Sequence, residues 1–164
     1  MEGDWDPSWS PEGASLAFGV SYSGRTGPAA IHVLDLKTSR VATLAGSEGM
    51  WSPRWSPNGR FIAGIKEPGS KVVLYDIQTH EQSELSSVPS GYPGWSPDGE
   101  YLFYLANSDD SAWWRVRLRD RKTVRVAALK NMRVSQWFAP ALNNSLITAR
   151  QSGGEIYALD WKAP

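Results

Sequence analysis

Short apolar runs recur along the whole chain and alternate with segments rich in Gly, Pro, Ser, Asn and Asp. β-Branched and aromatic residues dominate the runs, which favours β-strands, and the residues between the runs favour turns. Four short runs have the same place in successive repeats: Leu16-Ala17-Phe18, Phe61-Ile62-Ala63, Tyr101-Leu102-Phe103 and Ser145-Leu146-Ile147. The pattern predicts an all-β protein built from many short strands.

A longer apolar run follows each of these short runs after a loop of variable length. Four six-residue segments align with one another without gaps: residues 31–36, 72–77, 113–118 and 156–161. Three of them precede a further short run, at residues 41–44, 82–85 and 124–127. Each complete unit therefore predicts four strands, and the fourth unit lacks the run that would form its last, outer strand.

A tryptophan motif marks the first strand of each unit. Trp-Ser-Pro-x-Gly occupies residues 9–13, 55–59 and 95–99, and a degraded copy begins at Trp137. The motif tryptophans are 46, 40 and 42 residues apart (9 to 55, 55 to 95 and 95 to 137). A period near 40 with about four strands per unit is typical of β-propeller blades. In the motif, Pro fixes φ and Gly accepts a positive φ, so the chain can reverse. We expect the tryptophan to pack against a neighbouring blade.

The repeats resemble the WD-repeat-like units of TolB-type β-propellers, whose hallmark is W-S-P-D-G, then I-A-F, then I-Y-V-x-D-L. The resemblance covers about residues 4–162 and implies a β-propeller with four blade-like repeats of antiparallel sheets, the last without its outer strand. It implies a single propeller or propeller fragment over residues 1–164, with units at about 4–45, 46–86, 87–128 and 129–164. The fourth unit departs from the pattern, because it lacks Ser-Pro-x-Gly and two extra residues separate Trp137 from Leu146.

The end of the chain is similar to the C-termini of large bacterial regulators. In those proteins such repeats follow a winged-helix DNA-binding domain or a protein-kinase-like domain, usually across a membrane span, and the resemblance implies the periplasm if this chain behaves in the same way. Three arrangements are open: part of a larger propeller, completion by another chain, or a small closed ring. An uncovered strand edge between Ile156 and Trp161 predicts self-association or covering of that edge.

Composition argues against several classes of protein. The 17 basic and 17 acidic residues cancel, which argues against nucleic-acid binding by this segment. The absence of Cys excludes a disulfide framework, a thiolate zinc site and a cysteine nucleophile. No apolar run approaches the ~18 residues of a membrane-spanning helix. The acidic, polar N-terminal residues do not resemble a signal peptide.

The residues that could carry chemistry are more consistent with structural roles. His32 and His80 fall in different units without metal-ligand spacing, and no Gly-rich phosphate loop is present, so we expect neither a metal nor a cofactor. Three serines share one place beside the turn, which predicts structural hydroxyls: Ser10, Ser56 and Ser96. Three acids share one register, where Arg117 stands in the third unit, which predicts a hydrogen bond that either anchors a turn or joins two blades: Asp35, Asp76 and Asp160. We therefore expect no catalytic residue.

One local concentration of positive charge lies between positions 115 and 133. Its members are Arg115, Arg117, Arg119, Arg121, Lys122, Arg125, Lys130 and Arg133, and Asp120 is the acid among them. The first three alternate, so they share one face of a strand. One interpretation of this charge run is a basic stripe that binds an anion or docks a partner. The other, which is the more frequent case, is an outer face that is solvated or paired with acids of a neighbouring blade. The adjacent Trp113 and Trp114 are expected to pack between blades.

Variable loops on a rigid scaffold are the expected partner-binding surface. If the strands alternate in direction, the loops between the two middle strands and the links between blades share one end of the molecule. The candidate contacts on this end are Tyr22, Arg25, Met50, Lys66, Glu67, Tyr92, Asp109, Asp110, Arg133 and Arg150.

The function expected from these observations is a non-catalytic binding or scaffold module that contacts a protein or peptide, as a sensory or interaction region of a larger bacterial protein. The alternative is the accessory propeller of a serine peptidase, whose hydrolase domain this sequence does not contain. A lyase or glycosidase that uses carboxylates in the central channel ranks lower, because the residues just before the motif tryptophans are Ser8, Arg54, Gly94 and Gln136.

Overall fold

A computed structural model describes residues 4–20, 29–91, 93–106, 111–129, 134–141, 145–150 and 156–159. Within these residues the chain forms antiparallel sheets and no helix, so no helix long and apolar enough to cross a membrane occurs there. The sheets follow one another along the chain and correspond to the four predicted units. We number them blades 1 to 4.

The first three blades have four strands each and the fourth has three within the described residues. Blade 1 consists of β1 (Asp4–Trp9), β2 (Ser15–Val20), β3 (Ile31–Asp35) and β4 (Arg40–Thr43). Blade 2 consists of β5 (Met50–Trp55), β6 (Phe61–Lys66), β7 (Lys71–Asp76) and β8 (Glu81–Glu84). Blade 3 consists of β9 (Gly94–Trp95), β10 (Tyr101–Ala106), β11 (Ala112–Arg117) and β12 (Thr123–Ala128). Blade 4 consists of β13 (Val134–Pro140), β14 (Leu146–Arg150) and β15 (Ile156–Leu159).

Each sheet keeps its strands in chain order, and its first strand lies beside the first strand of the next blade: β1 contacts β5, and β9 contacts β13. The first strands are therefore the inner ones, and the sheets extend outward from them. This arrangement confirms the predicted all-β propeller architecture, including a fourth blade with three strands in the part of the chain that the structure describes.

The Trp-Ser-Pro-x-Gly segments form the predicted reversals between the first two strands of blades 1 to 3. Their glycines have φ values of 72°, 76° and 72° at Gly13, Gly59 and Gly99. The left-handed region suits glycine because it has no Cβ. The turns also stack from blade to blade: a Cβ on Gly59 would lie 3.4 Å from Cγ of Pro11, and one on Gly99 would lie 3.5 Å from Cδ of Pro57.

The core consists of three apolar layers, one between each pair of successive blades. The layer between blades 1 and 2 contains Ala17, Ile31, Met50, Ile62, Val73 and Tyr75. The layer between blades 2 and 3 contains Ala63, Val72, Leu74, Leu102, Tyr104 and Val116. The layer between blades 3 and 4 contains Phe103, Leu105, Trp113, Leu129 and Leu146. Burying each Val, Leu or Ile contributes about 1.5–3 kcal/mol, so these layers hold the blades together.

Each blade thus has a leading face, turned toward the preceding blade, and a trailing face, turned toward the next one. Trp55 and Trp95 lie on leading faces and pack against a neighbouring blade, as predicted: Trp55 packs on the layer shared with blade 1, and Trp95 on the layer shared with blade 2. Trp9 differs from the prediction, because it is exposed. Trp95 Nε1–H also donates a hydrogen bond to the Arg54 carbonyl oxygen at 2.8 Å. The pair Trp113 and Trp114 divides between the trailing and leading faces of blade 3.

The fourth blade departs from the sequence-based register. Counting from the motif, Trp137 should fill the place of Trp55 and Trp95, but β13 continues to Pro140, and Pro140 pairs with Leu146 where Trp55 pairs with Ile62. Phe138 instead packs on blade 3, with its ring centroid 4.2 Å from that of Trp113. The residue that pairs with Leu146 therefore lies three positions after Trp137, and Phe138 lies at the blade interface.

Candidate interaction surfaces

Backbone hydrogen bonds join the loops between middle strands to the links between blades, so both lie at the same end of the sheets. Gly49 N–H donates to the Ala29 carbonyl at 2.7 Å, and Glu67 N–H donates to the Gly49 carbonyl at 2.9 Å. Ser90 N–H donates to the Ser70 carbonyl at 2.8 Å. We use the name loop face for the described segments of this end: residues 48–50, 66–70 and 89–91. Main-chain contacts fix these segments of successive blades relative to one another.

Two of the predicted partner contacts, Lys66 and Glu67, lie on the loop face and are half-buried. Glu67 Oε1 accepts a hydrogen bond from Ser70 Oγ at 2.9 Å. Lys66 is opposite Lys71 in the hairpin of β6 and β7, and Lys71 Nζ forms a 2.8 Å ion pair with Glu84 Oε2. The loop face therefore presents charges of both signs on an ordered backbone.

The prediction that Met50 is a surface contact is wrong, because its side chain is fully buried. It begins β5, and its side chain joins the apolar layer between blades 1 and 2. Its Cε would lie 3.1 Å from a Cβ placed on Gly64, so the absence of a side chain at Gly64 leaves room for the methionine. Met50 thus stabilises the blade interface and is not available to a partner.

Six other predicted contacts lie outside the described residues: Tyr22, Arg25, Tyr92, Asp109, Asp110 and Arg133. The backbone of Arg150 ends β14, but its side chain is not among the described parts of the chain. They remain predictions.

A polar cluster on the inner strands was not anticipated from the sequence. Asp6 on β1 reaches β5, where Arg54 Nη2 lies 2.8 Å from Asp6 Oδ1 and 2.9 Å from Asp6 Oδ2. Ser52 Oγ donates a hydrogen bond to Asp6 Oδ2. Asp6 and Ser52 occupy equivalent positions and have φ values of 67° and 53°, each at an irregularity of strand pairing. These bulges turn both side chains toward the same gap between blades.

Both carboxylate oxygens of Asp6 are occupied by donors from blade 2, so the cluster is a polar joint between blades. A glycosidase site of the common type needs two carboxyl groups on either side of the scissile bond. The position equivalent to Asp6 in blade 2 is Ser52, which donates to that same carboxylate. The cluster therefore joins two inner strands and does not supply a pair of acids for catalysis.

The basic stripe of blade 3 is largely engaged within the protein. The Arg115 guanidinium carbon lies 4.7 Å from the centre of the Tyr101 ring. Arg117 Nε donates to Asp120 Oδ1 at 3.0 Å, and this hydrogen bond lowers the pKa of Asp120 to about 2. Arg121 Nη2 donates to Ser83 Oγ of blade 2 at 3.2 Å. A cavity of 330 Å³ remains beside the stripe, lined by Tyr101, Arg115, Arg117, Lys122 and Val124. These contacts support the outer-face interpretation of the charge run.

The motif serines are structural, as predicted. Each hydroxyl oxygen accepts a hydrogen bond from the backbone N–H five residues later, at 3.0 Å for Ser10 and 2.9 Å for both Ser56 and Ser96. All three serines are buried. The Ser96 hydroxyl also donates to Asp98, and this hydrogen bond lowers the pKa of the Asp98 carboxyl. The hydroxyls therefore close the turns.

The two histidines belong to different blades and have separate partners. His32 Nδ1 lies 3.0 Å from Thr43 Oγ1, and its ring stacks on Phe18. His80 Nδ1 lies 2.8 Å from Tyr75 Oη. Among the described residues, no group of three or more His, Cys, Asp or Glu side chains is placed to hold a metal ion.

The acids at the end of the third strands anchor the following turns, which is one of the two predicted roles. Asp35 Oδ1 accepts a hydrogen bond from Thr38 N–H at 2.7 Å, which lowers the pKa of Asp35. Asp76 Oδ1 accepts a hydrogen bond from Gln78 N–H in the following turn at 2.9 Å. Asp76 Oδ2 also accepts one from Arg60 Nη2 of the turn between β5 and β6, and this contact lowers the pKa of Asp76. In the third blade the charges are exchanged, since Arg117 pairs with an acid within the turn. Asp160 lies outside the described residues.

Comparison with known proteins supports the fold. No family model and no curated protein matches the chain. Among solved structures, TolB from Acinetobacter baumannii superposes with a TM-score of 0.71 at 16% identity, over 95% of this chain and 40% of that one. The β-propeller domain of the Trilobed protease from Pyrococcus furiosus, described as having an open velcro topology, gives a TM-score of 0.69 at 15% identity, over 98% and 54%. An oligogalacturonate lyase in complex with manganese gives 0.61 at 15% identity, over 96% and 52%.

The chain spans between 40% and 54% of the length of these three structures. They include a lyase and the propeller domain of a protease, so the shared architecture accommodates different activities. The fold of this chain resembles that of TolB-type β-propellers.

Proposed function

We propose that the chain is a non-catalytic binding module that contacts a protein or peptide partner through its loop face. The observation that carries the proposal is the series of backbone hydrogen bonds that joins the loop segments of successive blades, from Ala29 through Gly49 and Glu67 to Ser90. A surface ordered before binding loses less conformational entropy when a partner docks. Loops held on a rigid scaffold are also a frequent place for binding residues.

The charges of the loop face favour a polar partner. Lys66 and Glu67 are adjacent and half-buried, and the hydrogen bond from Ser70 holds the Glu67 carboxylate in one position. Charges of both signs at fixed positions give orientation and specificity to a protein–protein contact. A peptide with a complementary pair of charges fits this surface.

Site-directed photo-crosslinking tests the proposal. A photoreactive amino acid at Lys66 is compared with one at Glu12, which is exposed on a turn at the opposite end of the sheets. In cells that naturally produce the protein, we expect a discrete crosslinked partner from position 66 and none from position 12. With the photoreactive amino acid kept at position 66, Glu67→Lys should abolish that adduct without changing the melting temperature. The same adducts at both positions would contradict the proposal.

The crosslinked partner also separates this proposal from an accessory role beside a serine peptidase. A fluorophosphonate probe labels an active serine hydrolase through its nucleophilic serine. We expect the crosslinked partner to remain unlabelled, whereas labelling of the partner would favour the peptidase alternative.

A further inference from the structure

The leading face of blade 1 is an apolar surface that no other described blade covers. Four side chains form one row across its strands, because Trp9 pairs with Leu16, Leu16 with Leu34, and Leu34 with Val41. The trailing face of the same sheet packs on blade 2 through Ala17 and Ile31. Because successive side chains of a strand point to opposite faces of the sheet, the row lies on the leading face. Trp9 is 59% exposed and Val41 is 57% exposed.

The same row is buried in the next two blades. In blade 2 it runs from Trp55 through Ile62 and Tyr75, and in blade 3 from Trp95 through Leu102 and Val116. The two middle residues of each of these rows are at most 1% exposed, because the trailing face of the preceding blade covers them. The row of blade 1 therefore has the register and apolar chemistry of a surface that packs against a propeller blade.

The turns give a second, independent indication. Gly59 lies against Pro11 of the preceding turn, and Gly99 lies against Pro57. A Cβ on the equivalent Gly13 would have no heavy atom within 4 Å. Gly13 therefore lacks, among the described residues, the proline contact that Gly59 and Gly99 make with the preceding turn.

One apolar side chain of a trailing face is exposed at the other end of the chain, although the fourth unit lacks the Ser-Pro-x-Gly proline of the turn contact. Ile147 of β14 occupies the trailing-face register of Ala17, Ala63 and Phe103, which are fully buried against the next blade. Ile147 is 41% exposed. One chain therefore carries an open leading face on blade 1 and an exposed apolar side chain on the trailing face of blade 4.

We propose that the leading face of blade 1 binds blade 4 of a second copy of this chain. Such a head-to-tail contact closes into a ring when the rotation per copy completes one turn. The chain superposes over 54% of the length of the Trilobed protease propeller domain, so two copies supply about one such domain. Two copies give eight blades, within the range of about four to eight that propellers have. The contact uses sheet faces and is separate from the loop face.

Mass measurement in solution tests the proposal. Sedimentation equilibrium of the whole chain over a wide concentration range should give twice the monomer mass of 18.1 kDa. Trp9→Lys and Ile147→Glu should each raise the dimer dissociation constant by at least about thirtyfold, the effect of losing an interface hot spot. Gln78→Lys, on an exposed outer turn of blade 2, is the matched control and should leave the dimer intact. Because all three side chains are exposed, each variant should keep the wild-type circular dichroism spectrum.

Mixing the variants identifies the geometry. In a mixture of Trp9→Lys and Ile147→Glu chains, one of the two interfaces retains both wild-type residues and the other brings opposite charges together, so the dimer should return. A self-complementary contact between two copies of blade 1 would instead leave Ile147→Glu dimeric, and pairing of β15 edges would leave Trp9→Lys dimeric. Either result overturns the proposal, as does a wild-type monomer at every concentration or a polymer that grows with concentration.

Discussion

Replacement of Ser56 by alanine should destabilise the protein although it removes a single oxygen atom. Ser56 Oγ accepts a hydrogen bond from Phe61 N–H at 2.9 Å and donates one to Asn58 Oδ1 at 2.8 Å. The residue is 1% exposed, so water does not readily replace these partners. A buried donor left without an acceptor costs about 1–3 kcal/mol. We therefore expect a loss of about 2 kcal/mol in the free energy of unfolding.

The three equivalent serines provide an internal comparison. Ser96 has the same pair of contacts, to Tyr101 N–H and Asp98, so Ser96→Ala should cost about as much. In the first turn residue 12 is a glutamate, and Ser10 accepts a hydrogen bond from Ser15 N–H. Ser10→Ala should therefore cost about half as much, near 1 kcal/mol.

Thermal and urea unfolding measure this series directly. For a chain of this size each kcal/mol changes the melting temperature by about 2–4 °C, so Ser56→Ala should melt about 4–8 °C below the wild type. Ser87→Ala, at an exposed position, is the control and should change little. If Ser56→Ala and Ser96→Ala melted with the wild type, the hydroxyls would not close the turns and the structural interpretation of the motif would fail.

Three further predictions concern the joints between blades and a charged turn. Gly19→Ala should lower the free energy of unfolding by about 1–3 kcal/mol, because the new Cβ would lie 2.9 Å from Trp51 Cα across the blade interface. The urea midpoint measures this loss, and an unchanged midpoint would show that the blades are less closely packed. Asp6→Ala should cost about 2 kcal/mol by leaving a guanidinium on β5 without its carboxylate, which calorimetry would detect. The Asp120 pKa, about 2 in place of 3.8, should return toward 3.8 in Arg117→Gln when followed by carboxyl NMR. Since folding lowers this pKa, the stabilising contribution of Asp120 is complete above pH 3.8 and is lost as the pH falls toward 2.

The repeated elements of the fold could be predicted because their causes are local. A positive φ at Gly59 and a hydroxyl that bonds five residues ahead are properties of one short segment. The registers of the six-residue runs follow from alternation along single strands. The blade count and the strands and turns of blades 1 to 3 therefore agree with what the sequence predicts. The role of Asp35 as a turn anchor could be predicted for the same reason, since its partner Thr38 is three residues away.

The features that the sequence analysis missed depend on contacts between distant residues. Asp6 and Arg54 are 48 residues apart, and the bulge that brings them together gives Asp6 a positive φ without a glycine to signal it. The sequence predicts a loop position for Met50 because it directly follows the polar and glycine residues 46–49 of the link between blades, and nothing in the sequence marks it as the first residue of β5. Phe138 contacts blade 3 because Pro140, three positions after Trp137, pairs with Leu146, and this register depends on the pairing of β13 with β14.

Nuclear Overhauser contacts between successive turns test directly whether the sheets pack in one repeated register around a common inner side. Pro11 lies against Gly59 and Pro57 lies against Gly99 with nearly the same separation. We expect the ring protons of each proline to show a cross-peak to the α-protons of its glycine, with similar intensity in both pairs. Absence of both cross-peaks, or contacts of one turn with the opposite ends of strands as in a face-to-face sandwich, would contradict it.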